Sequence, residues 1–129
     1  MVLLCMTRMM IVDDSEELRL AMKDFLLIHN HNVVAEASDG IEAIEKYHSE
    51  KPELVFLDLT IPKLDGLSVL KQIRSQDPAS KIIVITGNDD MKILEECTRL
   101  GVLAFLIKPF DLNDVLSAIS FSKEPIIMK

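Results

Sequence analysis

Five short apolar runs punctuate the chain: Met9-Met10-Ile11-Val12, Val33-Val34-Ala35, Leu54-Val55-Phe56-Leu57, Ile82-Ile83-Val84-Ile85 and Ala104-Phe105-Leu106-Ile107. Short runs rich in Val, Ile and Phe read as strands. Their apolar character is continuous rather than alternating, which implies burial on both faces, as in a parallel sheet. Between the runs the spacing turns helical. Leu18, Met22, Phe25 and Leu26 fall at i, i+4, i+7 and i+8, one face of a helix, with Asp14 and Glu17 as a capping box at its start. Asp39 with Glu42 offers a second box, ahead of Ile41, Ile44 and Tyr47. Asp65-Gly66 precedes Leu67, Leu70 and Ile73, and Pro78 ends that helix. Met91, Leu94 and Cys97 make a fourth stripe, closed by Gly101 as a C-terminal cap. Asp111 caps a fifth, over Leu112, Val115, Leu116 and Ile119.

Strand and helix thus alternate five times. Alternation at this spacing predicts parallel βαβ units with right-handed crossovers and helices on both faces of the sheet. The expected fold is α/β: a flavodoxin-like (βα)5 three-layer sandwich on a five-stranded parallel sheet. For that class the strand order is 2-1-3-4-5, which spacing alone does not fix. The 129 residues fit one domain, expected over residues 8–122. Residues 1–7 read as a partly disordered leader, and 123–129, with Pro125, as a tail or the start of a linker.

Composition narrows the function. Hydrophobic residues make up 49% and charged residues 27%, a soluble globular balance. A net charge of -7 repels phosphate backbones, so direct nucleic-acid binding by this segment is not expected. Cys5 and Cys97 are too few for a disulfide framework and point to a reducing, cytoplasmic setting. The first six residues are too short for a signal peptide, and no apolar run approaches membrane length. Met6, Met9 and Met10 read as strand filler, and His29, His31 and His48 lack metal-ligand spacing and read as surface or loop histidines.

The chemistry lies at the exits of these runs. In open α/β sheets, ligands bind beyond the carboxyl ends of the strands. Run one is followed by Asp13-Asp14, run three by Asp58, run four by Thr86-Gly87 and run five by Lys108-Pro109, whereas Glu36-Ala37-Ser38 after run two reads as a plain exit. The four polar signals converge if run two is at an edge. Three carboxylates at one spot repel each other, and a hard divalent cation relieves them. Mg2+, or Mn2+, suits one or two carboxylates plus waters and a phosphate. Lys108 supplies a positive charge for a phosphoryl oxygen, Thr86 a hydroxyl donor, and Gly87 close backbone approach. One carboxylate is left as nucleophile. Asp58 ends what should be a central strand and is the best candidate for an aspartyl phosphate, with Asp13 and Asp14 as metal ligands.

Here the chain resembles a response-regulator receiver domain of two-component signalling, close in length to stand-alone chemotaxis and sporulation receivers. Val12-Asp13-Asp14-Ser15 is similar to the family's acidic pair. Leu57-Asp58-Leu59-Thr60-Ile61-Pro62-Lys63-Leu64-Asp65-Gly66 is similar to its phosphoacceptor loop, and Thr86-Gly87 and Lys108-Pro109-Phe110 to its two switch-side motifs. The resemblance runs from about Arg8 to Ser122. It implies phosphoryl transfer from a phosphohistidine on a sensor histidine kinase or histidine phosphotransfer protein. It implies Mg2+ held by Asp13, Asp14, Asp58 and the Thr60 backbone carbonyl, and a phosphoryl group bound near Thr60, Thr86, Gly87 and Lys108. A cis Lys108-Pro109 bond, a switch through Thr86 and Phe105, and tuning of phosphoryl lifetime by Thr60 and Asn88 are also implied. Many members have tyrosine where Phe105 stands, so a partner contact through that hydroxyl is absent here. The expected downstream protein target docks on residues Asp89–Ser120, with no membrane, and the chain is expected to be a monomer or weak homodimer.

Other readings fit less well. A flavin-binding fold needs a hydroxyl-rich phosphate loop where this chain has acids, and a P-loop enzyme needs Gly-Lys-Ser/Thr, which is missing. An aspartate-nucleophile phosphatase would want a second aspartate where Thr60 stands. A receiver-like binding module that works without phosphorylation, or a receiver cut from a longer transcription factor or output enzyme, are the alternatives that stay open.

Overall fold

A computed structural model describes residues 7–87 and 90–123, with side chains up to Phe121. Five strands and five helices alternate: β1 (Thr7–Val12), α1 (Glu16–Ile28), β2 (His31–Ala37), α2 (Gly40–Glu50), β3 (Leu54–Asp58), α3 (Gly66–Gln76), β4 (Ile82–Thr86), α4 (Met91–Arg99), β5 (Ala104–Ile107) and α5 (Leu112–Lys123). β1 opens at Thr7, one residue inside the expected leader, and the rest of that leader and residues 124–129 lie outside the described residues. Cys5, Met6, Asn88 and Asp89 are outside them too. Among the described residues no helix is long and apolar enough to cross a membrane.

The strands form one sheet in the order β2-β1-β3-β4-β5, every pair parallel. Because side chains alternate across a strand, each run feeds two cores. Met10, Val12, Val55, Leu57, Ile82 and Val84 pack with Ala43 and Tyr47 of α2, Val69, Leu70 and Ile73 of α3, and Cys97 of α4. Met9, Ile11, Leu54, Phe56, Ile83 and Ile85 pack with Met22 and Leu26 of α1 and Val115, Ala118 and Ile119 of α5. The three central strands are thus buried on both sides. The edge strands β2 and β5 are only partly so, since no further strand covers their outer rims.

Helix boundaries correct several expectations. Ser15, not Asp14, caps α1, its side chain accepting from Leu18 N at 3.2 Å. Asp39 and Asp65 cap α2 and α3 by accepting from Glu42 N and Ser68 N. Glu42 closes its box one residue early, on Ser38 N rather than Asp39 N. Asp111 and Asp114 bond each other's backbone N–H reciprocally at the start of α5. Gly101, at φ 83°, comes after α4 with Gly101 N on Thr98 O and Val102 N on Cys97 O, a Schellman closure. Ile41 and Met91, expected on buried stripes, are exposed. His31, the first residue of β2, is buried, while His29 and His48 are exposed.

Candidate functional site

The strand order brings the carboxyl ends of β1, β3, β4 and β5 side by side. Asp58 ends β3 opposite Ile85, and Thr86 ends β4 opposite Ile107. Asp13 comes directly after β1 and is tied back to the sheet by its N–H on Ala37 O. The carboxylates of Asp13, Asp14 and Asp58 each offer an oxygen within 4.8 Å of the others. Asp13 and Asp58 are buried, and Asp14 is exposed at the mouth.

Each buried acid has one oxygen satisfied by the backbone. Asp13 Oδ1 accepts from Ser15 N at 2.9 Å, and Asp58 Oδ1 accepts from Thr60 N at 2.8 Å. The other oxygens face the Lys108 ammonium. Lys108 Nζ donates to Asp58 Oδ2 at 2.8 Å and lies 3.3 Å from Asp13 Oδ2. The second approach is close enough for charge attraction but lacks hydrogen-bond geometry. Asp13 Oδ2 is therefore a buried oxygen with no hydrogen bond among the described residues.

These contacts set the electrostatics. Burial pushes the Asp13 carboxyl up, the Ser15 N–H draws it back, and the neighbouring Asp58 charge pushes it up again, for a net rise. Burial works against the Lys108 ammonium, but its hydrogen bond to Asp58 and the charges of Asp58 and Asp13 outweigh that and hold it above the ordinary lysine range. One lysine thus shields two buried carboxylates.

A hard divalent cation fits this donor set. The three convergent carboxylates are the oxygen ligands Mg2+ prefers, and Asp13 Oδ2, with no hydrogen bond and only the Lys108 charge beside it, keeps lone pairs for a cation.

Supporting geometry keeps the loop after Asp58 in place. A Cβ at Gly66 would meet Leu59 Cα at 2.3 Å and Asp58 O at 2.7 Å, so only glycine lets the start of α3 close on that loop. Gly40 N donates to Pro62 O, and a Cβ there would collide with Leu64 O at 1.9 Å. Lys63 adds an ion pair with Asp39 at 3.4 Å. Gly87 directly follows Thr86, the last residue of β4. It is exposed, and a Cβ there would meet only Lys108 Cβ, at 3.9 Å. Nothing in this conformation demands glycine at that position.

The remaining candidates are adjacent. Thr86 is buried and lines a cavity of about 230 Å³ with Leu59, Thr60, Asp65, Leu67 and Ile93. Lys108 N donates to Thr86 O, and the Lys108–Pro109 bond is cis. Phe105 is half-buried against the core shared by α2, α3 and α4. Sequence reasoning misses two residues: Arg19, whose guanidinium donates to Asp13 O, and Glu36, which holds Arg19 from the edge strand. An arginine one turn inside the helix after the acids, with an acid near the end of the next strand, is the available signal.

Comparison with known proteins agrees with this layout. The family model for the response regulator receiver domain matches residues 9–120. The chemotaxis protein CheY of Bacillus subtilis is 37% identical over 113 residues, covering 88% of this chain and 94% of that protein. Among solved structures, a CheX–CheY–BeF3–Mg2+ complex from Borrelia burgdorferi superposes with a TM-score of 0.88 at 28% identity, covering 92% of this chain and 90% of the matched one. The response regulator domain of Thermotoga maritima CheB does so with a TM-score of 0.82 at 27% identity, covering 94% and 100%. With its five-stranded order, its acidic cluster and a family match over nearly its whole length, this chain belongs to the response regulator receiver domains.

Proposed function

We propose that Asp58 is the phosphoacceptor of a two-component phosphorelay and that its phosphorylation switches a protein-binding surface. The donor is a phosphohistidine on a sensor kinase or a histidine phosphotransfer protein. An Asp58 carboxylate oxygen attacks phosphorus, the N–P bond breaks, and its electron pair returns to the imidazole. Asp13, Asp14, Asp58 and the Thr60 carbonyl would hold Mg2+ or Mn2+, which supplies charge neutralisation on the transferring phosphoryl oxygens. Lys108, now on Asp58 Oδ2, is within reach of an oxygen of the new phosphoryl group, and the backbone N–H groups of Thr60 and Gly87 and the Thr86 hydroxyl complete its bonds. The chain's own chemistry is confined to taking up and hydrolysing this group, in the cytoplasm.

Phosphorylation adds charge and strong acceptor oxygens. Lys108 and Thr86 bind them better in one conformer than another, which shifts a pre-existing equilibrium. Thr86 and Phe105 relay that shift to the face of α4, β5 and α5, spanning 89–120. The observation that carries the reading is Lys108 Nζ, 2.8 Å from Asp58 and 3.3 Å from Asp13 beside three carboxylates that converge within 4.8 Å. The test is intact mass after incubation with Mg2+ and a small acyl or amido phosphate. Wild type gains one phosphoryl group and Asp58→Asn gains none. A folded wild type that takes up nothing favours a docking module that works without phosphorylation.

A further inference from the structure

Asp14 is the exposed member of the acidic trio, and among the described residues nothing donates to its carboxylate. Its direction is set by the backbone that carries it. That backbone is gripped from one side by Arg19. Arg19 lies in the first turns of α1 with only 14% of its side chain exposed. Its Nη1 donates to Asp13 O at 2.5 Å, and its Nε donates to Glu36 Oε1 at 3.1 Å. Glu36 is itself anchored. Its Oε2 accepts from Lys23 Nζ at 3.2 Å, its carbonyl accepts from Lys46 Nζ at 2.6 Å, and it pairs with Ile11 across the sheet. The Asp13 carbonyl and the Asp14 N–H belong to one planar peptide. Fixing that oxygen therefore fixes the plane from which Asp14 departs, while Asp13 N on Ala37 O fixes the preceding one.

We propose that Arg19, clamped by Glu36, is a positioning residue that holds the Asp13–Asp14 peptide so that both carboxylates meet a divalent cation. This rests on the reading of the acidic trio as a cation site. The reason to expect a measurable effect is geometric. Mg2+ and Mn2+ take near-octahedral oxygen sets, so a ligand on a loosened peptide loses much of its worth. Groups that orient metal ligands without touching the metal commonly change affinity by about 10–100-fold when removed.

Charge and positioning predict opposite signs, which makes the test decisive. Arg19 is a cation beside a cation site. If it acted through charge alone, removing it would tighten metal binding. If it positions the peptide, removing it weakens binding despite the lost repulsion. Lysine keeps the charge but lacks the fork that reaches the Asp13 carbonyl and the Glu36 carboxylate together.

The experiment titrates the unphosphorylated chain with Mn2+, reading free Mn2+ by electron paramagnetic resonance, alongside thermal melts without metal. Arg19→Gln should bind Mn2+ about ten-fold more weakly than wild type, and Arg19→Lys, which keeps the repulsion but lacks the fork, at least as weakly. Arg19→Lys, whose charge is that of wild type, stands in if Arg19→Gln does not fold, since charge alone predicts no change for it. Affinity in Arg19→Gln or Arg19→Lys equal to or tighter than wild type overturns the proposal, even if the melting temperature falls, since that pattern marks a merely structural bridge. A folded wild type that binds no Mn2+ overturns the cation reading itself, an outcome distinct from intact wild-type binding with unaffected variants.

Discussion

Space treats Gly66, at the start of α3, and Gly87, just after β4, in opposite ways. A methyl group at Gly66 would press into the Leu59 backbone, which cannot move without shifting the loop that carries Thr60. Gly66→Ala should therefore cost about 2 kcal/mol in a urea melt and also slow phosphoryl uptake. Gly87→Ala has room, and should stay within about 0.5 kcal/mol of wild type. A Gly66→Ala protein as stable as wild type would mean that this loop is softer than its contacts indicate. At this scale the sequence is most legible where chemistry and topology coincide. Asp13, Asp58 and Lys108 each stand directly after an apolar run, so their convergence is implied once the strand order is right. Arg19 and Glu36 are invisible because a helix arginine and a strand-end acid are ordinary surface residues until the fold brings them together. His31 is misplaced because a lone histidine carries no burial signal of its own.

Helix starts show how a one-residue ambiguity is settled by reach. Asp14 and Ser15 are both competent caps, and the spacing to Glu17 favours Asp14. The chain turns helical one residue later, which points the Asp14 carboxylate toward Asp13 and Asp58 and leaves Ser15 Oγ to accept from Leu18 N. Ser15→Ala should cost about 1 kcal/mol of stability by thermal or urea unfolding. Its effect on phosphoryl uptake should be small, since Ser15 N rather than its side chain serves Asp13. The stripes that mislead share one cause. Ile41-Ile44-Tyr47 and Met91-Leu94-Cys97 are strict i, i+3, i+6 series, and at 3.6 residues per turn such a series drifts about 120° around the helix over its length. The first member then falls off the buried face. Ala43 with Tyr47, and Ile93 with Cys97, at i+4 spacing, face the core instead.

Across the whole molecule, buried Asp13 is a stability cost that a bound cation should remove. Asp13 holds its proton above the ordinary carboxylate value because of burial and the Asp58 charge. For a group shifted in that direction, the stabilising contribution is complete below its unfolded pKa and is lost as pH rises through the folded one. At neutral pH without metal, Asp13 therefore weakens the fold. Other acids run the opposite way. Glu36 is opposed by burial but brought low by its bonds to Lys23 and Arg19, and Glu42 and Asp65 are lowered mainly by backbone N–H groups, so their support fades as pH falls. A simple pH profile mixes these effects, and a difference between two proteins isolates one. Asp13→Asn keeps an oxygen for Ser15 N and leaves Lys108 its bond to Asp58. Without cation at pH 7 it should melt above wild type, by about 1 kcal/mol or about 3–4 °C. That gap should shrink as pH falls toward the ordinary aspartate value and Asp13 becomes neutral. Mg2+ should reverse the order, because binding to the folded state adds about 1.4 kcal/mol for each ten-fold excess over Kd, and Asp13→Asn has lost a ligand. Melts of the two proteins across pH, with and without Mg2+, check both signs. A wild type that stays above Asp13→Asn without metal at neutral pH would show that Lys108 alone compensates the buried charge, and that Asp13 stores no free energy for a cation to release.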